Sequence, residues 1–178
     1  MRIDWQARLA GEADISALEA LIDLSVRTLH VKYYSPEQIK ASIGVVFGVD
    51  RQLIRDGTYY VMEREGRVIG CGGWSKRRSL YGLDSLRTAP DPELVPGQDA
   101  ARIRAFFVHP EWTRRGIAGR IMNECESAIA AAGFGEVVII ATLAGEPFYA
   151  TFGYAVEERY DIALAGGLRL PVVRMTRR

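Results

Sequence analysis

The chain is short of the residues that build metal and redox centres: it has two cysteines, Cys71 and Cys125, and two histidines, His30 and His109. Neither cysteine has the close Cys or His neighbours that a zinc site needs, and the histidines lie far apart, so no metal is expected. Both cysteines read as reduced, buried thiols of a cytoplasmic protein. Charge of one sign is also missing, since 23 Lys and Arg nearly balance 22 Asp and Glu. No global field draws in nucleic acid, and the basic clusters Lys76-Arg77-Arg78 and Arg177-Arg178 read as solvated ends. Apolar runs of roughly 18 residues are absent, and none follows the basic residue of Met1-Arg2-Ile3-Asp4-Trp5. A membrane span and a secretion signal are therefore not expected. Internal repeats, low-complexity tracts and a dividing linker are lacking too, so residues 1–178 read as a single domain.

What remains is globular composition, 48% hydrophobic and 25% charged. After an extended start over 2–9, Asp14 is the expected cap of a helix with its inner face at Ile15, Leu18, Leu21, Ile22, Val26 and Leu29. Ser35-Pro36-Glu37-Gln38 spells a second helix start with a capping box, continued by Ile39, Ile43 and Val46 or Phe47. Two strands, 58–64 and 68–74, flank the turn Glu65-Gly66-Arg67 as a hairpin. Gly70, Gly72 and Gly73 mark either a bent strand or a close approach by another backbone or a ligand. Residues 79–100, with Pro90, Pro92 and Pro96, read as a long surface loop near a substrate mouth. A strand over 101–108, a helix over 115–132 stopped by Gly133, and an all-apolar strand over 136–141 follow. A short helix over 147–152, a strand from Tyr154 and a last strand over 170–175 complete the pattern.

The chemistry concentrates in Thr113-Arg114-Arg115-Gly116-Ile117-Ala118-Gly119, between a strand and a helix. Such a junction aims unpaired backbone N–H groups and the positive end of a helix dipole at one spot, where an anion belongs. Gly116, Ala118 and Gly119 let the backbone come close to it. There is no Gly-Lys-Ser/Thr ending, which excludes a nucleotide-hydrolysing P-loop, and no G-x-G-x-x-G near the first strand, which excludes a dinucleotide fold. Nothing resembles a Ser/His/Asp triad or a catalytic Cys/His pair.

The stretch from Phe106 to Gly119 resembles the acetyl-CoA motif of the GNAT (GCN5-related) N-acetyltransferases, with Thr113 at a position usually Gln or Arg. The order of elements resembles that family over roughly residues 2–177. The resemblance implies a three-layer α/β (α+β) fold, a mixed, mostly antiparallel twisted sheet of about six or seven strands flanked by about four helices. It implies acetyl-CoA as cosubstrate, with the backbone of Phe106, Phe107 and Val108 pairing with the pantetheine arm like an added strand. Amides of Arg114, Arg115, Gly116, Ile117, Ala118 and Gly119 would hold the pyrophosphate.

Acetyl transfer to an amine needs a neutral nucleophile, a polarised thioester carbonyl and a proton for the departing thiolate. Pro147-Phe148-Tyr149-Ala150-Thr151-Phe152-Gly153-Tyr154 resembles the family's Tyr-x-x-x-Gly-Phe box, which implies that Tyr149 is the general acid and leaves Tyr154 to the core. The strand before the loop offers Arg102 and Arg104 where a carboxylate base is usual. Asp84, His30 or attack by the minor free-amine form remain as sources of the nucleophile, and His109 reads as a surface residue. Tyr33-Tyr34-Ser35, the region 74–81 and the loop through Asp99 are candidates for choosing the acceptor, expected to be a small-molecule amine. The alternative is a noncatalytic acyl-CoA-binding domain. The C-terminal strand offers an edge for a homodimer.

Overall fold

A computed structural model describes residues 4–178. In chain order the strands are β1 (Gln6–Leu9), β2 (Tyr59–Arg64), β3 (Arg67–Ser75), β4 (Ala101–Val108), β5 (Val137–Thr142), β6 (Ala155–Ala163) and β7 (Arg169–Arg177). The helices are α1 (Ile15–Leu29), α2 (Pro36–Ser42), α3 (Arg51–Arg55), α4 (Ile117–Ala131) and α5 (Glu146–Thr151). The strands form one seven-stranded sheet ordered β1-β2-β3-β4-β5-β7-β6. Every neighbouring pair is antiparallel except β4 with β5. The expected three-layer fold is present, with five α-helices among the described residues where about four are expected. The addition is α3, a helix of five residues too short to show a periodic apolar face.

Two cores cover the two faces of the sheet. On one, Ile117, Ile121, Cys125 and Ile129 of α4 pack on Ile103, Ile139 and Met175. On the other, Leu18, Ile22 and Val26 of α1 pack on Val61, Cys71, Phe107 and Val172. Burial pushes the Cys71 thiol up to about 12 and the Cys125 thiol higher still, so neither is a ready nucleophile. Among the described residues no helix is long and apolar enough to cross a membrane.

Local signals explain most boundaries. At α2, Ser35 Oγ accepts from the Gln38 N–H at 3.2 Å while Gln38 Oε1 accepts from the Ser35 N–H at 2.8 Å. That helix stops at Ser42, before Ile43 and Val46, because Gly44 turns the chain at φ +82°. Glu65 and Gly66 both take positive φ, 49° and 75°, as a two-residue hairpin turn demands. The Asp14 cap is a correction: Asp14 makes no capping bond to α1, because both its oxygens bind Arg8 at 2.8 Å and one also accepts from the Gly11 N–H. The glycines of β3 make room for the protein itself. A Cβ on Gly70 would lie 2.5 Å from Ile117, on Gly72 2.6 Å from Phe106, and on Gly73 2.6 Å from the Thr58 carbonyl oxygen. The last strand corrects another expectation, since β7 is paired on both sides and the sheet's edges are β1 and β6. Residues 79–100 lack strands but are tied down, as Arg77 grips Asp56 at 2.7 Å and the Asp91 carbonyl at 3.0 Å.

Candidate functional site

The site begins with a fault in the sheet. Parallel pairing between β4 and β5 covers only Ala101 with Val137, Arg102 with Val138 and Ile103 with Ile139. Beyond Ile103 the two strands part, and the β5-facing backbone groups of β4 are left without a strand partner. On its other side β4 carries a bulge, since Gly73 pairs with Arg104 but Cys71 pairs with Phe107. Ala105, in the bulge, sits at φ +57°, a left-handed conformation that costs a non-glycine residue about 1–2 kcal/mol. Its carbonyl accepts from the fully buried Tyr59 hydroxyl at 3.2 Å, which holds the strained residue in place. Because of the extra residue, Ile103 and Phe107, an even number of positions apart, point into opposite cores.

A cavity of about 970 Å³ runs through this gap. Of the residues expected to bind a coenzyme, Phe106, Phe107, Val108, Arg114, Gly116, Ile117, Ala118 and Gly119 line it. Arg115 does not: its guanidinium stacks on the Trp112 ring at 4.7 Å, with Arg64 also over that ring at 4.9 Å. Thr113 lines the cavity too, and its hydroxyl donates to the Pro110 carbonyl at 3.1 Å, bracing the turn before α4. Arg114 and Gly116 take φ of +59° and +85°, and no side chain caps α4 at Gly116. The first N–H groups of a 15-residue helix therefore open on the cavity wall with the dipole's positive end. A Cβ on Gly116 would meet nothing within 4 Å, so it is the backbone angle that calls for glycine.

Tyr149, from α5, lines the same cavity. It is 7% exposed, and its ring makes edge contacts with Phe106 at 6.1 Å, Phe148 at 5.1 Å and Tyr154 at 6.2 Å. Its hydroxyl has no hydrogen-bond partner among the described residues. Burial drives its pKa well up, so the phenol keeps its proton at neutral pH. Tyr154 is as buried but placed differently: it lies off the cavity, its hydroxyl meets Glu126 at 3.5 Å, and Arg177 stacks on its ring at 5.5 Å.

Across the gap, on the α1 side, the wall includes His30, Tyr33, Phe47, Asp50, Tyr81 and Arg104. Burial pushes His30 down to about 4, its Nδ1 is buried without a partner, and its ring stands edge-on to Phe47 at 5.3 Å. His30 is thus neutral near pH 7. Asp84, the other candidate base, is not in the wall: it pairs with Arg55 at 2.7 Å and accepts from the Arg51 N–H at 3.0 Å. These contacts hold its carboxyl below the usual range despite partial burial. His109 accepts from the Glu111 N–H at 3.3 Å in the turn over 110–112. Tyr34 is a structural tie, donating to the Pro171 carbonyl at 2.7 Å and accepting from the Leu143 N–H at 3.0 Å.

The acid missing from β4 arrives from elsewhere. Asp50 caps α3 by accepting from the Gln52 N–H at 3.1 Å, and it pairs with Arg104 at 2.9 Å and Arg87 at 3.3 Å. Burial raises its pKa, with the two guanidiniums opposing that rise. The sequence held one usable signal, an Asp before Arg51-Gln52-Leu53 at the end of a Gly-rich turn, which is a helix N-cap pattern.

The model of the acetyltransferase (GNAT) domain family matches residues 55–156. A search of curated proteins finds no match. Among solved structures, a GCN5-related N-acetyltransferase from Rhodopseudomonas palustris superposes with a TM-score of 0.71 at 20% identity, over 96% of this chain and 93% of that one. The PaiA N-acetyltransferase of Thermoplasma acidophilum, solved in complex with coenzyme A, gives 0.67 at 15% identity over 99% of each chain. YncA of Salmonella typhimurium, solved with its cofactor acetyl-CoA, gives 0.62 at 17% identity over 98% of this chain and 94% of that one. At these identities the superpositions speak for the fold.

Proposed function

This chain belongs to the GNAT acetyltransferase family, and from that premise we propose that it carries an acetyl group from acetyl-CoA to the primary amine of a small molecule. The observation that carries the reading is the meeting, on one cavity, of the unpaired edge of β4 and the uncapped N-terminus of α4. A molecule with amides in a long arm and a pyrophosphate at its end fits both. The arm's amides would complete the ladder beside Phe106 to Val108, and the pyrophosphate would take the N–H groups from Arg114 to Gly119. Arg115 would contribute its backbone alone, its side chain being spent on Trp112.

Tyr149, protonated and with a hydroxyl free of protein partners on the cavity wall, would then supply the proton to the leaving thiolate. The amine attacks in its free form. No side chain of the wall is a strong, unpaired base, because His30 is held near 4 and Asp50 is shared by two arginines. That same observation favours a second reading, a noncatalytic acyl-CoA-binding domain. Calorimetric titration with coenzyme A and with acetyl-CoA tests the shared premise, and binding of neither would end both readings. Thiol release from acetyl-CoA in the presence of amines separates them, with turnover of any amine excluding the noncatalytic one.

A further inference from the structure

The α1 side of the cavity has its own composition, and it restricts the amine. We propose that the acceptor is an amino-acid-like molecule, a monoamine with an apolar or aromatic body whose carboxylate is anchored by Arg104. The proposal rests on the acetyl-transfer reading above.

The wall here is built from Leu29, Tyr33, Phe47, Leu80, Tyr81 and Leu83, which offers an apolar body a surface to bury against. Among the described residues the one carboxylate in the wall is Asp50, and it is already held by Arg104, Arg87 and the Gln52 N–H. A second ammonium, as on a polyamine or a lysine-rich peptide, would find no free acid. Lys32 and Arg104 face the single carboxylate of Asp50 at this end, so the wall's charge leaves room for an anion. Arg104 has a side chain only 6% exposed, yet its contacts to Asp50 and to the Gly82 carbonyl both run through Nη2. Nε and Nη1 donate no hydrogen bond among the described residues and are not sealed from solvent, so one edge of the guanidinium is open to a ligand on the cavity wall. A carboxylate oxygen on Nη1 satisfies it with a charge-assisted bond. Lys32, exposed at the rim of the same cavity, adds positive charge on the approach.

Position agrees with charge. Ile103 faces the α4 core, so Arg104 faces the opposite side, directly before the bulge at Ala105. A carboxylate held there sets an adjacent α-amine beside the open edge of β4, where the acyl group would lie. In the transfer the amine nitrogen bonds to the acetyl carbon as the carbon–sulfur bond breaks. The nitrogen gives one proton to water, and the sulfur takes one from Tyr149, which water restores.

The test is thiol release by the unaltered protein with acetyl-CoA and phenylalanine, leucine or methionine, each set against its amide, its decarboxylated amine and spermidine. The free amino acids should lead in kcat/KM by about tenfold or more, as expected for one charge-assisted hydrogen bond, with the gap in KM and no turnover of spermidine. In Arg104→Gln that lead should collapse toward unity, and in Arg104→Lys part of it should return. Amides or decarboxylated amines that match the amino acids, or spermidine as the better acceptor, overturn the proposal. So does calorimetric binding of acetyl-CoA without turnover of any of the three amino acids, an outcome that leaves the coenzyme reading standing. If acetyl-CoA does not bind at all, the acetyl-transfer reading itself falls. Should Arg104→Gln not fold, the ranking with the unaltered protein decides alone.

Discussion

The two ends of the cavity are built in opposite ways. The end at α4 is made of backbone: an open strand edge, a turn with positive φ at Arg114 and Gly116, and an uncapped helix, all within Phe106 to Gly119. The end at α1 is made of side chains from distant segments: His30 after α1, Asp50 before α3, Tyr81 in the loop after β3, and Arg104 on β4. A backbone site tolerates substitution at its side chains, which is why Thr113 can stand in an unusual position while its hydroxyl merely braces the Pro110 carbonyl. A side-chain site depends on charges that must balance in a poorly solvated place. One end is a contiguous phrase of sequence, and the other exists only once the chain has folded.

The largest effect should come from unbalancing the second end. Asp50→Asn keeps a cap for α3 but strands Arg104 without its carboxylate and leaves Arg87 only its longer contact to Asp91 at 3.8 Å, for a loss of about 3 kcal/mol in urea unfolding. Coenzyme affinity measured on the folded fraction should not move, and a parallel loss of affinity would break the separation of the two ends. His30 gives an effect of similar size in acid. Its pKa is depressed from 6.5 to about 4 by burial, so the unfolded chain binds the extra proton between those values and stability falls as pH drops through that window. The full loss is about 3 kcal/mol, and His30→Gln should lack that part of the acid slope in melts compared between pH 7 and pH 4.

Smaller in free energy is the loss expected at the chemical step. Tyr149→Phe should lower turnover about 100-fold, while acetyl-CoA still binds with nearly unchanged affinity by calorimetry. Unchanged turnover would remove the acid from the proposed mechanism. The mildest test is Gly116→Ala, which forces a Cβ into φ +85° at a cost of about 1 kcal/mol in thermal or urea unfolding. Because that residue starts α4, coenzyme affinity should weaken too, whereas the pairing of Asp50 with Arg104 should be untouched.

The same contrast explains what could be read from the sequence. The boundaries of β4, the hairpin turn at Glu65-Gly66 and the capping box at Ser35 to Gln38 were legible because a few adjacent residues decide each of them. Asp14 misled for the converse reason: a capping carboxylate is available to any cation that folding brings up, and Arg8 took it. The three glycines of β3 could not be assigned from the chain alone, since their neighbours Ile117, Phe106 and Thr58 come from three other elements. That β7 would slot between β5 and β6 rather than lie at an edge is likewise a fact of topology. Of the cavity wall, Tyr149 and the loop from Arg114 to Gly119, apart from the Arg115 side chain, could be named from adjacent residues. The Asp50 pair could not, because Arg104 looks like a surface arginine until a carboxylate 54 positions earlier closes on it.

The short parallel seam between β4 and β5 also bears on how the molecule comes apart. Three residue pairs join a half-sheet of four strands to a half-sheet of three. Backbone amides along this seam should be the first in the central sheet to exchange with solvent, well ahead of those in the long ladder between β6 and β7. A ligand arm lying in the gap would act as a splint across that joint, coupling two halves that otherwise breathe separately.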